Sequence, residues 1–216
     1  MAVGFACGSK NGDSGFNDGT GSDGGQIGEG GKGFGGGIGE GGTGGCTGLQ
    51  CKEVDCPGGG DTTITGQVFD PIGLNPLYGV AVYVPSQLPL SALSTGATCD
   101  RCGATVLNPA STTLTDEQGK FTLTHVPVDA KVPVVVQIGK WRRTFNLDVT
   151  ACQENPMPTP LTLPKNGTEG DMPQMAVAVN GYDALECLIY GMGVDESEFS
   201  SGGTGSGHVH LYSSAQ

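Results

Sequence analysis

The sequence predicts a mainly β protein built on an antiparallel β-sandwich, and three observations carry that prediction. Between residues 62 and 163, short β-type runs alternate with turn signals and show no helical period. Aromatic residues make up 6% of the chain and apolar residues 36%, which suits a thin two-layer core. The 40 glycines are unevenly spread: 24 of them lie in residues 1–60. This sets a glycine-rich arm apart from the segment able to bury a core, because ordering glycine costs the most backbone entropy. Three regions follow: a disordered Gly-rich N-terminal arm over 1–60, the sandwich over 62–163, and a C-terminal βα fragment over 164–216.

Taken in order, the first run is Thr62–Phe69, which alternates and stops at Asp70-Pro71. The second is Gly79–Val84, stopped by Pro85. Thr112–Thr115 leads into Asp116-Glu-Gln-Gly119, a four-residue turn whose glycine can take a positive φ. Lys120–His125 places Phe121 and Leu123 on one face. Val132–Ile138 and Trp141–Val149 follow, and Leu161–Leu163 adds a short last strand, giving about seven in all. The expected core is Phe69, Val82, Phe121, Leu123, Val135, Ile138, Phe145 and Leu147.

These runs carry a family resemblance. Thr65-Gly66-Gln67-Val68-Phe69-Asp70, then Leu77-Tyr-Gly79-Val80-Ala-Val82, then Thr115-Asp116-Glu-Gln-Gly119-Lys-Phe121-Thr-Leu123 and Val126-Pro127 resemble the carboxypeptidase regulatory-like domain. The resemblance implies a transthyretin-like (prealbumin-like), Ig-like sandwich of about seven strands. In that family the domain is typically a non-catalytic accessory. It implies that Gly66 permits close strand packing, Gly119 closes a hairpin, and Pro127 ends a strand. The segment Ser86–Asn108 is an insertion relative to the family and contains Cys99-Asp-Arg-Cys102. With Lys140–Arg143 and Asp183–Cys187, it resembles secreted or lipid-anchored proteins of myxobacteria.

Cysteines add an address. Ala2-Val-Gly-Phe-Ala-Cys7-Gly-Ser9 resembles the end of a bacterial lipoprotein signal, with Cys7 as the lipidation candidate; the alternative is an incidental cysteine in a tail. A lipid at Cys7 and a long flexible arm would hold the sandwich away from a bilayer. Cys46, Cys51, Cys56, Cys99, Cys102 and Cys152 are disulfide candidates, since a small exported domain gains stability from cross-links. Their pairing is open. A zinc site of Cys51, Cys56, Cys99 and Cys102, or a redox Cys-x-x-Cys, are the competing readings.

The formal net charge is −12, and a chain so short of Lys and Arg is not built to neutralise phosphate, so nucleic acid is not an expected partner. No run of about 18 apolar residues occurs, and membrane contact would come only through Cys7. G-x-S-x-G, H-E-x-x-H and Walker A motifs do not occur either. His208 and His210 share a strand face but have no third metal ligand nearby, and His125 is read as an outward strand residue. Neither a metal nor a cofactor is expected. Trp141, Arg142 and Arg143 form the candidate binding group, because an indole and two guanidiniums can hold a glycan or an acidic partner.

In the C-terminal piece, Gln174–Val179 reads as a buried strand. Asp183–Tyr190 reads as a helix capped by Asp183, with Leu185, Leu188 and Ile189 as its apolar face. His208–Tyr212 reads as a strand without a partner, as if the chain continued beyond Gln216. The expected function is a non-catalytic, envelope-exposed module for adhesion, spacing or presentation, with an extracellular or envelope protein or glycan as partner. Two rivals stand beside it: a fragment of a larger secreted enzyme, and a carbohydrate- or peptide-binding module.

Overall fold

The computed structural model describes residues 46, 48–96, 108–179 and 184–213. The expectations for Cys7 and for the glycine arm up to residue 45, for Cys99 and Cys102, and for Asp183 as a helix cap lie outside the described residues; residues 48–60, expected as part of the disordered arm, instead carry two short 3-10 helices, Gly48–Lys52 and Pro57–Gly59, held by a disulfide and by the Leu49 amide on the Ser86 carbonyl. The strands in chain order are β1 (Thr63–Phe69), β2 (Ala81–Pro85), β3 (Pro109–Leu114), β4 (Lys120–Leu123), β5 (Val132–Ile138), β6 (Trp141–Leu147), β7 (Glu154–Pro156), β8 (Leu161–Thr162) and β9 (Met175–Val179). Helix α1 (Leu185–Gly191) follows, then β10 (Phe199–Ser201) and β11 (Val209–Ser213).

Two sheets face each other. One is antiparallel in the order β3-β2-β5-β6. The other runs β4-β1-β7, with β8 also on β1. Their inward side chains make one core: Ile64 and Val68 of β1, Val82 and Val84 of β2, Phe121 and Leu123 of β4, and Val132, Val134 and Val136 of β5. This is the predicted β-sandwich. One sheet is mixed, not wholly antiparallel, because β7 and β8 both pair with β1 in parallel. They act as two halves of one broken edge strand, interrupted by Met157-Pro-Thr-Pro160. Proline cannot donate to a ladder, so the edge is broken there.

Of the expected core, Val82, Phe121 and Leu123 lie inside. Val135 is fully buried, but on the opposite face of β5 from Val134 and Val136. Phe145 and Leu147 are half-buried at the margin. Phe69 and Ile138 are corrections. The inward parity of β1 is set by Ile64, Gly66 and Val68, which turns Phe69 to the other face, and Ile138 is 39% exposed at a strand end. A side-chain period of 2 makes a one-residue parity error move a residue through the sheet.

The turn at Asp116–Gly119 is built as its sequence requires. Gly119 has φ +73°, and a Cβ there would lie 2.6 Å from the Val68 carbonyl oxygen. Asp116 Oδ1 accepts from the Gln118 and Lys120 amides. Thr115 Oγ1 donates to the Leu77 carbonyl and accepts from the Val80 amide, tying the start of β2 to the end of β3. Gly66 lies against Phe121: an added Cβ would sit 2.8 Å from the ring, so only glycine lets that aromatic cross β1.

The C-terminal segment forms a parallel sheet in the order β10-β11-β9. β11 is therefore its central strand, partnered on both sides, which corrects the reading of His208–Tyr212 as unpaired. The sheet packs through Met172, Val177, Val194 and Val209 into a second small core, and Trp141 of β6 touches both cores. Helix α1 is a further correction. Leu185 and Leu188 are exposed, at 50% and 62%, and only Ile189 of the expected apolar face packs inward.

Among the described residues two disulfides close, Cys46–Cys51 and Cys56–Cys152. They consume Cys51 and Cys56, so a zinc site using those two thiolates is not available. Cys187 is a free, exposed thiol.

Candidate functional site: a cleft on the outer face of the valine sheet

The alternation that sends Val82, Val84, Val134 and Val136 into the core sends Tyr83, Pro85, Val135 and Gln137 to the outer face of the same sheet. On that face the segment 86–96 lies over β2, β5 and β6 as a strap. Three contacts hold it. The Ser86 carbonyl accepts from the Leu49 amide at 3.0 Å, the Ser91 carbonyl accepts from the Arg142 guanidinium at 2.9 Å, and Lys140 Nζ donates to the Gly96 carbonyl. Between strap and sheet lies a cleft of about 970 Å³. Its walls mix prolines and aliphatic residues of the strap with Gln50, Asn108, Tyr83, Gln137 and Arg142.

Arg142 anchors the cleft. It is 8% exposed. Its Nε donates to Asp171 Oδ2 at 2.7 Å, and the two residues also exchange both backbone hydrogen bonds, at 3.0 and 2.8 Å. Gly170 permits this approach, since a Cβ there would lie 2.3 Å from the Arg142 carbonyl oxygen. Asp171 thus covers the outer edge of β6 and pairs with the charge buried on it.

Tyr83, 3% exposed, donates its hydroxyl to Gln137 Oε1 at 2.9 Å. Gln137 Nε2 donates in turn to the Gly139 carbonyl. Burial pushes the Tyr83 phenol above its ordinary value of 10.0, and the nearby Arg142 charge offsets part of that rise. The phenol is therefore neutral across the physiological range and stays a donor. The floor is a chain of oriented amide, phenol and guanidinium groups, suited to hydrogen-bonding a polar ligand.

Trp141, Arg142 and Arg143 do not form one exposed group. Successive residues of a strand point to opposite faces. Arg142 faces the cleft, while Trp141 is half-buried between the two cores. Arg143 is turned to the other side, where it bonds Thr162 Oγ1 at 2.7 Å and Glu169 Oε2 at 3.0 Å, with its guanidinium 5.2 Å from the centre of the Phe145 ring. Only Arg142 of the three belongs to the cleft. Tyr83 and Gln137 were not singled out in the sequence; the available signal was an alternation of valines with polar outward residues in β2 and β5.

The histidines are engaged separately. His125 follows β4 at φ +54°, with its side chain 70% exposed and 3.7 Å from Asp61, so it is not a strand residue. His208 Nδ1 meets Glu198 Oε2 at 2.5 Å, whereas His210 contacts Ser200, the Gly202 carbonyl and Gln174. Burial acts to raise the Glu198 carboxyl, but hydrogen bonds from His208 and from the Gly167 and His208 amides outweigh it and hold the group below its ordinary value.

No family model and no curated protein matches the chain. Among solved structures, it is similar to a chain of a type II cohesin–X-dockerin complex, an N-terminal interface mutant, from Acetivibrio cellulolyticus. The sequence identity is 17%, the match covers 67% of this chain and 78% of that one, and the TM-score is 0.31, a likeness too slight to carry a functional argument.

Proposed function

We propose that the chain is a non-catalytic, exported β-sandwich module that holds a polar partner, a protein segment or a glycan, in the cleft over β2, β5 and β6. The observation that carries this reading is the burial of Arg142 and Tyr83 on the outer side of a sheet whose core lies on the other side. A sheet needs neither group there for its own packing. Burying a guanidinium and a phenol costs free energy unless their hydrogen bonds are met, and the strap meets part of that requirement. What remains is an oriented polar floor beneath walls that mix apolar and polar residues, a make-up that suits recognition of a polar ligand.

Export fits the chemistry, because disulfides persist in oxidising compartments. The residue pattern from Gly66 to Pro127 supports a carboxypeptidase regulatory-like accessory domain, and Cys7 with the glycine-rich arm after it supports a lipid-anchored tether for that domain.

The test is binding of the purified chain to a glycan array and to a peptide library, repeated with Gln137→Ala. We expect a ligand retained by the wild type to lose about tenfold in affinity in the variant, the effect of one oriented hydrogen-bonding group lost from a desolvated site. Equal binding by both proteins would remove the cleft as the site.

A further inference from the structure

The cleft over β2, β5 and β6 has a chemical character that narrows what it can hold. Among the described residues that line it, Arg142 alone carries a charge, and Asp, Glu and Lys take no part. That charge is already met: Arg142 Nε donates to Asp171 Oδ2 at 2.7 Å and Nη1 donates to the Ser91 carbonyl at 2.9 Å. An incoming anion would have to compete with Asp171 for a guanidinium that is only 8% exposed. An incoming cation would meet Arg142 with no carboxylate on the cleft wall to receive it, a like-charge juxtaposition that costs affinity.

The remaining polar groups are neutral and can both donate and accept. Four primary amides line the cleft, from Gln50, Gln87, Asn108 and Gln137. Gln50, Gln87 and Asn108 are exposed, and Gln137 is half-buried on the floor. Each amide sets donors beside an acceptor. Gln137 Oε1 accepts from Tyr83 and its Nε2 donates to the Gly139 carbonyl, which leaves one lone pair and one N–H for a ligand. The vicinal hydroxyls of a sugar, each a donor and an acceptor without charge, match such groups. Pro89, Leu90 and Pro109 add apolar surface for the C–H faces of its rings. An extended peptide finds less here. β2 lies between β3 and β5, and β5 between β2 and β6, so the floor is the face of paired strands and offers no free edge for strand addition.

We propose that the cleft takes an uncharged oligosaccharide, held by side-chain amides and not by ion pairing. The proposal rests on the reading of this cleft as the binding site and names its ligand class. At about 970 Å³ the cleft lies at the upper end of ordinary small-ligand sites, room for a short run of sugar rings.

The experiment screens the full chain on an array of neutral and acidic glycans and, in parallel, on a peptide library. The strongest glycan is then titrated by calorimetry into wild type, Gln137→Ala and Gln50→Ala, at about 50 and about 500 mM NaCl. The retained glycans should carry no carboxylate, sulfate or phosphate. Their affinity should change less than about twofold with salt, because no charge is neutralised on binding. Both variants should bind at least about threefold more weakly, the effect of a lost hydrogen bond. Gln50 is exposed, so its variant keeps the test open if Gln137→Ala does not fold. Acidic glycans or peptides retained in place of neutral glycans, and weakened by Gln137→Ala, would overturn the ligand class and leave the cleft as the site. Neutral glycans bound equally by folded variants and wild type would overturn the cleft as their site. Retention of no glycan at all, or an affinity that falls more than about fivefold with salt, would overturn the proposal as well.

Discussion

Asp70 shows how much one side chain can organise in a fold with a thin core. It ends β1, is 3% exposed, and accepts from the Gly73, Leu74 and Asn75 amides and from the Asn75 side chain. Burial acts to raise its carboxyl, but the Asn75 side chain and these three amides together outweigh burial and hold it below its ordinary value of 3.8. A carboxyl whose folded value is depressed stabilises the fold fully above the unfolded value, and that contribution is lost as pH falls through the folded one. Stability should therefore be flat from neutral pH to about 5 and decline below that. Urea melts at several pH values read this directly. Asp70→Asn should lower the midpoint at pH 7 and give a shallower decline in acid. It should not abolish the decline, because Asp129 and Glu198 are also held below their ordinary values. Parallel acid slopes for variant and wild type would show that Asp70 is not a source of the decline.

At the scale of elements, the weak point is the broken edge formed by β7 and β8. β7 has three residues and β8 two. Two devices reinforce the start of this edge. Asn155, 6% exposed, accepts from the Thr150 amide and donates to the Thr63, Thr150 and Gln153 carbonyls. The Cys56–Cys152 bridge then ties the turn before β7 to the segment ahead of β1, across 96 residues of sequence. Chain-entropy arguments give a cross-link over about 100 residues about 4.7 kcal/mol, and one over about 5 residues about 2 kcal/mol. The Cys56→Ser/Cys152→Ser pair should therefore lose clearly more stability in urea than the Cys46→Ser/Cys51→Ser pair, whose loop is short. Equal losses would mean that the long bridge constrains the unfolded chain no more than the short one. The same edge marks where the sequence stops being legible. The longer strands β1, β2, β5 and β6 could be read, because alternation and turn residues repeat often enough to fix them. β7 and β10 are too short to hold a period, and parallel pairing leaves no local signal. The cleft was half legible. Arg142 was named for its chemistry, but grouping it with Trp141 and Arg143 ignored the strand alternation that sends neighbours to opposite faces. Tyr83 and Gln137 become a site only when the strap that follows β2 folds back over the sheet, a tertiary event with no trace in the alternation of either strand.

At the scale of the whole molecule, two small cores share one joint. Trp141 packs against both the sandwich core and the C-terminal core, and it is the chain's single tryptophan. Asp171 fastens the same strand from its edge, and the Ile72 amide, after β1, donates to the Met192 carbonyl at the end of α1 at 2.9 Å. The C-terminal parallel sheet has only three strands and a seven-residue helix, too little to bury both of its faces alone. Its order must therefore depend on this joint more than the order of the sandwich does. Trp141→Ala should cost about 2–3 kcal/mol, less than the loss of a fully buried tryptophan because the residue is not fully covered. The cost should fall unevenly. Amide exchange in β9 and β11 should accelerate markedly, whereas β2 and β5, at the centre of the valine core, should keep most of their protection. Uniform acceleration throughout would instead describe one cooperative unit, and unchanged exchange in β9 and β11 would show that the C-terminal sheet stands without the joint.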